Sequence, residues 1–201
     1  MSRKYPRPSL YAGIALVWLI AATVAAATGR IAALAFPVPQ LILAALTLAL
    51  IASYLGSEGF REWLHSLDLR WLVGVHLVRL LAGSAFIVLG GRGELSPAFA
   101  LPAGYGDVAV AILALVLLLS GAASTPGRLR LYGIWNWLGL IDLVFVVLNA
   151  GRVGRADPGG MLPLLQLPLS LLPTFVVPIL LADHFVILHR TRRKGVEGVK
   201  A

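Results

Sequence analysis

The strongest constraint on this chain is a set of six apolar runs, each close to the length of a membrane crossing. A helix rises about 1.5 Å per residue, so about 20 mostly apolar residues cover about 30 Å of hydrocarbon. The runs fall at about residues 10–28, 38–55, 71–90, 105–122, 131–149 and 165–188. They are continuous rather than alternating, which excludes a closed β-barrel and leaves helices as the spanning element. The expectation is an all-α polytopic bundle of six transmembrane helices, forming a single domain over residues 1–201.

Composition agrees. Only 13% of the 201 residues are charged, about half the usual share in soluble chains. There is no Cys, so disulfide frameworks and thiolate metal sites are excluded. The first run follows basic residues, as a secretory signal would, but it exceeds the 7–15 apolar residues of such signals and reads as a span.

The net charge of +8 does not point to nucleic acid, because the basic residues sit at the ends of the apolar runs. Twelve Lys and Arg flank one side (Arg3, Lys4, Arg7, Arg61, Arg70, Arg128, Arg130, Arg190, Arg192, Arg193, Lys194, Lys200). Four flank the other (Arg30, Arg92, Arg152, Arg155), and Arg79 lies inside the third run. The positive-inside rule then places both termini in the cytoplasm of a cell with an inner membrane. The tail 189–201, with its HRTRRK cluster, is expected against anionic lipid head groups.

Three connecting stretches are informative. Residues 57–70 carry Phe60, Trp63, Leu64 and Leu67 at helical spacing, which predicts an interfacial amphipathic helix. Residues 91–106 are apolar but broken by Gly and Pro, and read as an outer cap or a re-entrant segment. Residues 150–164 read as an exposed loop. No internal repeat supports an inverted-repeat transporter.

Ionisable groups inside spans are costly and mark the place to look for chemistry. His76 and Arg79 share a face of span three, about 7 and 12 Å from its start. Asn136 and Asp142 lie about 7 and 16 Å along span five, and His184 about 6 Å from the end of span six. His76, Asn136 and His184 therefore occupy one level, and Arg79 and Asp142 the next. A mid-membrane Arg keeps its proton and needs a carboxylate, for which Asp142 is the best depth match and Asp107 the second. Asp107 is expected near the outer end of span four, capping it at Tyr105–Gly106–Asp107. Asp183 is placed closer to the interface, near Arg190 or lipid head groups. Pro173 and Pro178 each remove a backbone donor and free the carbonyls of Leu169 and Thr174. Gly83, Gly133 and Gly139 permit close helix approach.

Several functions fit these residues. In the first, Arg79, Asp142, Asn136, His184 and Asp107 form a buried pocket that binds or transports a small polar or anionic ligand, with His184 or Asp142 exchanging a proton. This reading needs no cofactor and no metal. In the second, His76 and His184 are axial ligands of a haem b, or serve a quinone. In the third, Gly104–Tyr105–Gly106–Asp107 resembles the G-x-G-D signature of presenilin-like and prepilin-peptidase-like intramembrane aspartyl peptidases, with Asp142 as second carboxylate. In the fourth, the chain is an accessory subunit whose polar groups hold helices together. Beyond the lipid bilayer, expected partners are an unknown small ligand and a second copy or another membrane protein.

The segments FALPAGYGD, WNWLGLIDL and PTFVVP followed by His184 together resemble a group of small multi-spanning bacterial integral membrane proteins of unassigned function. The likeness runs over spans three to six. It implies that Arg79, Asp107, Asn136, Asp142, Pro173, Pro178 and His184 occupy the recurring polar and proline positions of that group, and it implies no activity.

Overall fold

The computed structural model describes residues 8–197, with side chains through residue 192. The basic residues Arg3, Lys4, Arg7 and Lys200, and the side chains of Arg193 and Lys194, lie outside the described residues. Eight α-helices occur in the order α1 (Pro8–Ala27), α2 (Val38–Gly56), α3 (Glu58–Ser66), α4 (Leu69–Gly74), α5 (Val78–Gly91), α6 (Pro97–Leu119), α7 (Pro126–Ala156) and α8 (Val177–Glu197). A 3₁₀ turn, Val75–Leu77, joins α4 to α5, and a π turn, Leu172–Val176, leads into α8. There is no strand among the described residues.

Among the described residues, six helical segments are long and apolar enough to cross a membrane: Pro8–Ala27, Val38–Gly56, Leu69–Gly91, Pro97–Leu119, Pro126–Ala156 and Leu172–Arg192. Their outward faces carry large apolar side chains such as Leu16, Val17, Leu81 and Leu148. So much exposed apolar surface suits a hydrocarbon solvent and not water.

Local chemistry sets the boundaries. Ser57 accepts a hydrogen bond from Phe60 N to start α3, Asp68 from Arg70 N to start α4, and Thr125 from Arg128 N to start α7. Each cap satisfies one of the donors that a first turn leaves unpaired. Pro97 opens α6, where its missing N–H costs nothing.

The structure corrects several sequence expectations. Residues 91–106 are not a cap or re-entrant loop, because α6 is already helical from Pro97 and runs straight through Pro102. Asp107 is therefore not an N-cap; it lies ten residues into α6, about 15 Å from its start. The loop expected at 150–164 is shorter, since α7 continues to Ala156. Span six begins later than expected, after a short 3₁₀ helix, Leu162–Leu165, and turns from Gln166 to Ser170. The amphipathic stretch forms α3, and its apolar face is partly covered by the protein itself. Tyr11 stacks on Trp63 at 4.9 Å and packs on Phe60 at 5.0 Å, while Leu64 and Leu67 pack against the core.

The prolines of span six act as their chemistry dictates. Pro178 cannot donate to the carbonyl of Thr174. That carbonyl instead accepts a bond of 3.0 Å from Trp18 Nε1, which ties the lightly buried α1 to the π turn. Phe175 packs edge-on against the same indole, with ring centroids 4.8 Å apart.

Two large apolar clusters fill most of the interior, beside a small one of Ala26, Ile31 and Leu165. One gathers Tyr54, Leu72, Val73, Ala114, Tyr132 and Ile187; the other gathers Phe86, Phe99, Ala103, Val146, Val153 and Met161. Along α6 the first cluster uses positions after 107 and the second positions before it; along α7 the order is reversed. The polar residues of α5, α6, α7 and α8 thus form a layer between two greasy ends.

Candidate functional site

The polar layer is organised around Arg79, which is 1% exposed. Its Nε donates to Asp107 Oδ1 at 2.6 Å, its Nη1 to the carbonyl of Gly139 at 3.1 Å, and its Nη2 to Asp142 Oδ2. One guanidinium from α5 is thereby bonded to carboxylates from both α6 and α7. A planar fork of five N–H donors is the side chain suited to three acceptors in different directions.

Glycines make this convergence possible. A side chain at Gly83 would meet the Gly104 carbonyl at 2.6 Å and Asp107 Cβ at 2.8 Å. One at Gly104 would meet Ile87 Cγ1 at 2.7 Å, and one at Gly106 would run into the Asp142 carboxylate. The two glycines of the G-x-G-D segment are therefore helical residues at which α5 and α7 approach α6 closely, not members of a turn. Gly133, by contrast, has open space around it, so it is not one of the close-approach positions.

A second polar group lies beside the first. His184 Nδ1 donates to Asn136 Oδ1 at 2.9 Å, while Asn136 Nδ2 donates to the His184 carbonyl at 3.1 Å. This reciprocal pair fixes the Nδ1–H tautomer of His184. The ring sits against Gly139, where an added Cβ would come within 2.7 Å of Cε1. His76 Nε2 pairs with Asp183 Oδ2 at 3.0 Å. The His76 and His184 rings are 4.3 Å apart, and Trp135 packs on both at 5.1 and 5.7 Å. His76 and His184 are fully buried. Asp183 is 8% exposed, so it belongs to the interior and not to the interface where the sequence placed it.

A cavity adjoins this layer. Arg79 and Asp107 form part of its wall, together with Gln40 from α2 and the rings of Phe36, Phe86 and Phe99. Its volume is about 50 Å³, room for a few water molecules and far below the 300–1,000 Å³ typical of small-molecule sites. Asp142 does not line it and is the most open member of the cluster, with its side chain 18% exposed against 2% for Arg79. Arg79 and Asp107 thus border the cavity, while Asp142 is partly exposed elsewhere.

The geometry discriminates among the expected chemistries. Axial haem ligands must stand on opposite faces of a porphyrin. Imidazoles in contact at 4.3 Å leave no slot for one, and His76 already spends Nε2 on Asp183. The residues do not fit a haem. An aspartyl dyad needs two carboxylates sharing a proton. Here Asp107 and Asp142 each bond to the guanidinium between them. Among the described residues, no group of three or more His, Asp or Glu side chains could hold a metal ion.

A family model described as a domain of unknown function, DUF8737, matches residues 35–192. The chain belongs to this family. The DUF8737 match takes in α2 through α7 and α8 as far as Arg192, and so contains the whole polar layer, Gln40 and the cavity, leaving out only α1 among the spans. The description attaches no reaction or ligand to DUF8737. No curated protein and no solved structure matches the chain.

Of the residues singled out in the sequence, the structure brings Arg79, Asp107 and Asp142 together and sets His184 and Asn136 beside them. Sequence reasoning missed Asp183 as the partner of His76, and Gln40 on the cavity wall. For Asp183 a signal existed: it is an acidic residue within a span, adjacent to a histidine already under suspicion. Gln40 follows directly on Pro37–Pro39 and reads there as part of a helix start.

Proposed function

We propose that this is a multi-pass membrane protein that binds and passes a small polar ligand at the Arg79–Asp107–Asp142 cluster, in exchange with a proton. Asn136 and His184 form the adjoining polar pair that backs that site. With six crossings both termini lie on one side, and the distribution of Lys and Arg makes that side the cytoplasm of an inner membrane.

The observation that carries this reading is one guanidinium shared by two carboxylates inside the bundle. With both carboxylates ionised the cluster has a formal charge of −1. A buried surplus charge must be neutralised by a proton on one carboxylate or by a bound ligand. A site with two such alternatives exchanges one for the other. The same count disfavours an anion as the ligand, since both carboxylates already occupy the guanidinium. The size of the cavity favours a ligand of a few heavy atoms.

The test is flux in vesicles. Full-length protein is reconstituted with an internal pH dye and challenged with a panel of small amines, alkali chlorides and carboxylates, against protein-free vesicles. A solute-driven change of internal pH that is lost in Asp142→Asn supports the reading. Vesicles as tight as the protein-free ones with every solute contradict it and favour the accessory-subunit reading, in which the cluster only joins helices.

A further inference from the structure

We infer that the cavity behind Arg79 is a binding site for a small N–H-bearing cation of the ammonium and methylammonium class. The inference rests on the reading above and names the kind of ligand that the cluster takes.

Three features of the cavity converge on that class. The first is charge. Asp107 and Arg79 line it, and Asp142, outside the cavity wall but bonded to the same guanidinium, gives the cluster one more negative than positive group, so a cation beside Asp107 completes the balance. The second is an acceptor with nothing to accept from. Gln40 Oε1 is buried without a hydrogen-bond partner, and Asp107 spends only Oδ1 on Arg79. A buried unpaired acceptor costs about 1–3 kcal/mol, so such atoms usually face a water or a ligand. The third is the wall itself. Phe36, Phe86 and Phe99 line the same space, and aromatic faces attract cations within about 6 Å of the ring centre.

Chemistry then separates the candidate cations. A bare metal ion held by oxygen needs about six ligands to replace its hydration shell. This cavity offers the oxygens of Gln40 and Asp107 among apolar walls, which is too few. An ammonium needs acceptors only for some of its N–H groups and tolerates aromatic faces for the rest. The volume of about 50 Å³ suits a cation of a few heavy atoms such as ammonium or methylammonium, and a tetraalkylammonium has no N–H to give to the Gln40 and Asp107 oxygens.

Protons compete for the same surplus charge. The groups lining the cavity are Arg79 from α5, Asp107 from α6 and Gln40 from α2; Asp142 from α7 is joined to them through Arg79, and His76 and His184 lie one layer away. Protonation of either carboxylate removes the surplus charge, so cation binding weakens as pH falls.

The experiment is thermal unfolding of the full chain in lipid nanodiscs, titrated with ammonium chloride and, at equal ionic strength, tetramethylammonium chloride, sodium chloride and sodium sulfate. The expected result is a saturable rise in Tm with ammonium alone, weaker at pH 6 than at pH 8. Gln40→Leu lies outside the ion cluster and should fold; it should raise the half-saturating ammonium concentration at least about tenfold, the loss of one charge-assisted hydrogen bond. Equal stabilisation by tetramethylammonium, a response that follows the anion, or no response to ammonium overturns the inference. If a carboxylate or a neutral solute drives Asp142-dependent flux while ammonium does not bind, the transport reading stands and the cation assignment fails. If ammonium binds and no solute moves, the assignment stands and the transport reading fails.

Discussion

Arg79 Nε donates to Asp107 Oδ1 at 2.6 Å across 28 residues of sequence, joining α5 to α6 in the middle of the bundle. Without Asp107 the guanidinium is still balanced by Asp142, but its Nε is left buried without an acceptor, which costs about 1–3 kcal/mol. Asp107→Ala should therefore destabilise the protein by about that much. Asp107→Asn keeps an acceptor for Nε and leaves Asp142 to balance the guanidinium, so its effect should be well under half as large. Unfolding in detergent, followed by tryptophan fluorescence, compares the two.

The contact between Gly139 and the His184 ring is closer than any side chain allows. An added methyl at Gly139 would sit 2.7 Å from Cε1 and 3.1 Å from Nε2. Gly139→Ala must push the imbidazole off Asn136 or separate α7 from α8, and overpacking of this kind costs about 1–3 kcal/mol. Gly133→Ala, with open space around it, is the control and should be neutral. Melting temperatures of the two variants test the difference.

His76 has Asp183 as its polar partner, and both are buried. Asp183→Ala should cost about 1–3 kcal/mol, the penalty for a buried group left unpaired. Asp183→Asn retains a hydrogen-bonding group and should cost less. Had Asp183 lain at the interface, as the sequence suggested, both changes would be neutral. Denaturant midpoints separate these outcomes.

Trp18 provides the one side-chain hydrogen bond from α1 to the π turn, through Thr174 O. Trp18→Phe keeps most of the ring and loses the donor. It should cost about 1 kcal/mol and leave the carbonyl beside Pro178 unpaired. Limited proteolysis near the connection between α1 and α2 should speed up in this variant, because α1 has few other anchors.

How much of this was legible beforehand depended on which force set each feature. Spans one, two, three and five follow from apolar length alone, because a helix is the only open-ended way to satisfy backbone groups in hydrocarbon. The start of span four did not follow. Pro97, Pro102, Gly104 and Gly106 are turn signals in water, yet here Pro97 opens a helix and Pro102 is carried within it. That misreading placed Asp107 at the outer end and so away from Arg79. Span six was set too early because the stretch from Leu165 to Ser170 is as apolar as a helix but runs through turns from Gln166 to Ser170. The later helix carries Asp183 inward to His76. The pairing of Arg79 with Asp142 was legible, since a guanidinium in hydrocarbon needs an anion at its own depth. Its sharing with Asp107 was not, because that depends on the close packing at Gly83 and Gly104, which no periodicity encodes.

The most direct test of the ion cluster is a double-mutant cycle between Arg79→Gln and Asp107→Ala, read as unfolding free energies in the same detergent. If the guanidinium and the carboxylate are bonded in the interior, each single change is costly and the double variant recovers part of the loss. The expected coupling is at least about 1 kcal/mol. Additive effects within about 0.3–0.5 kcal/mol would mean that the two side chains act independently, and the site built on their pairing would not exist.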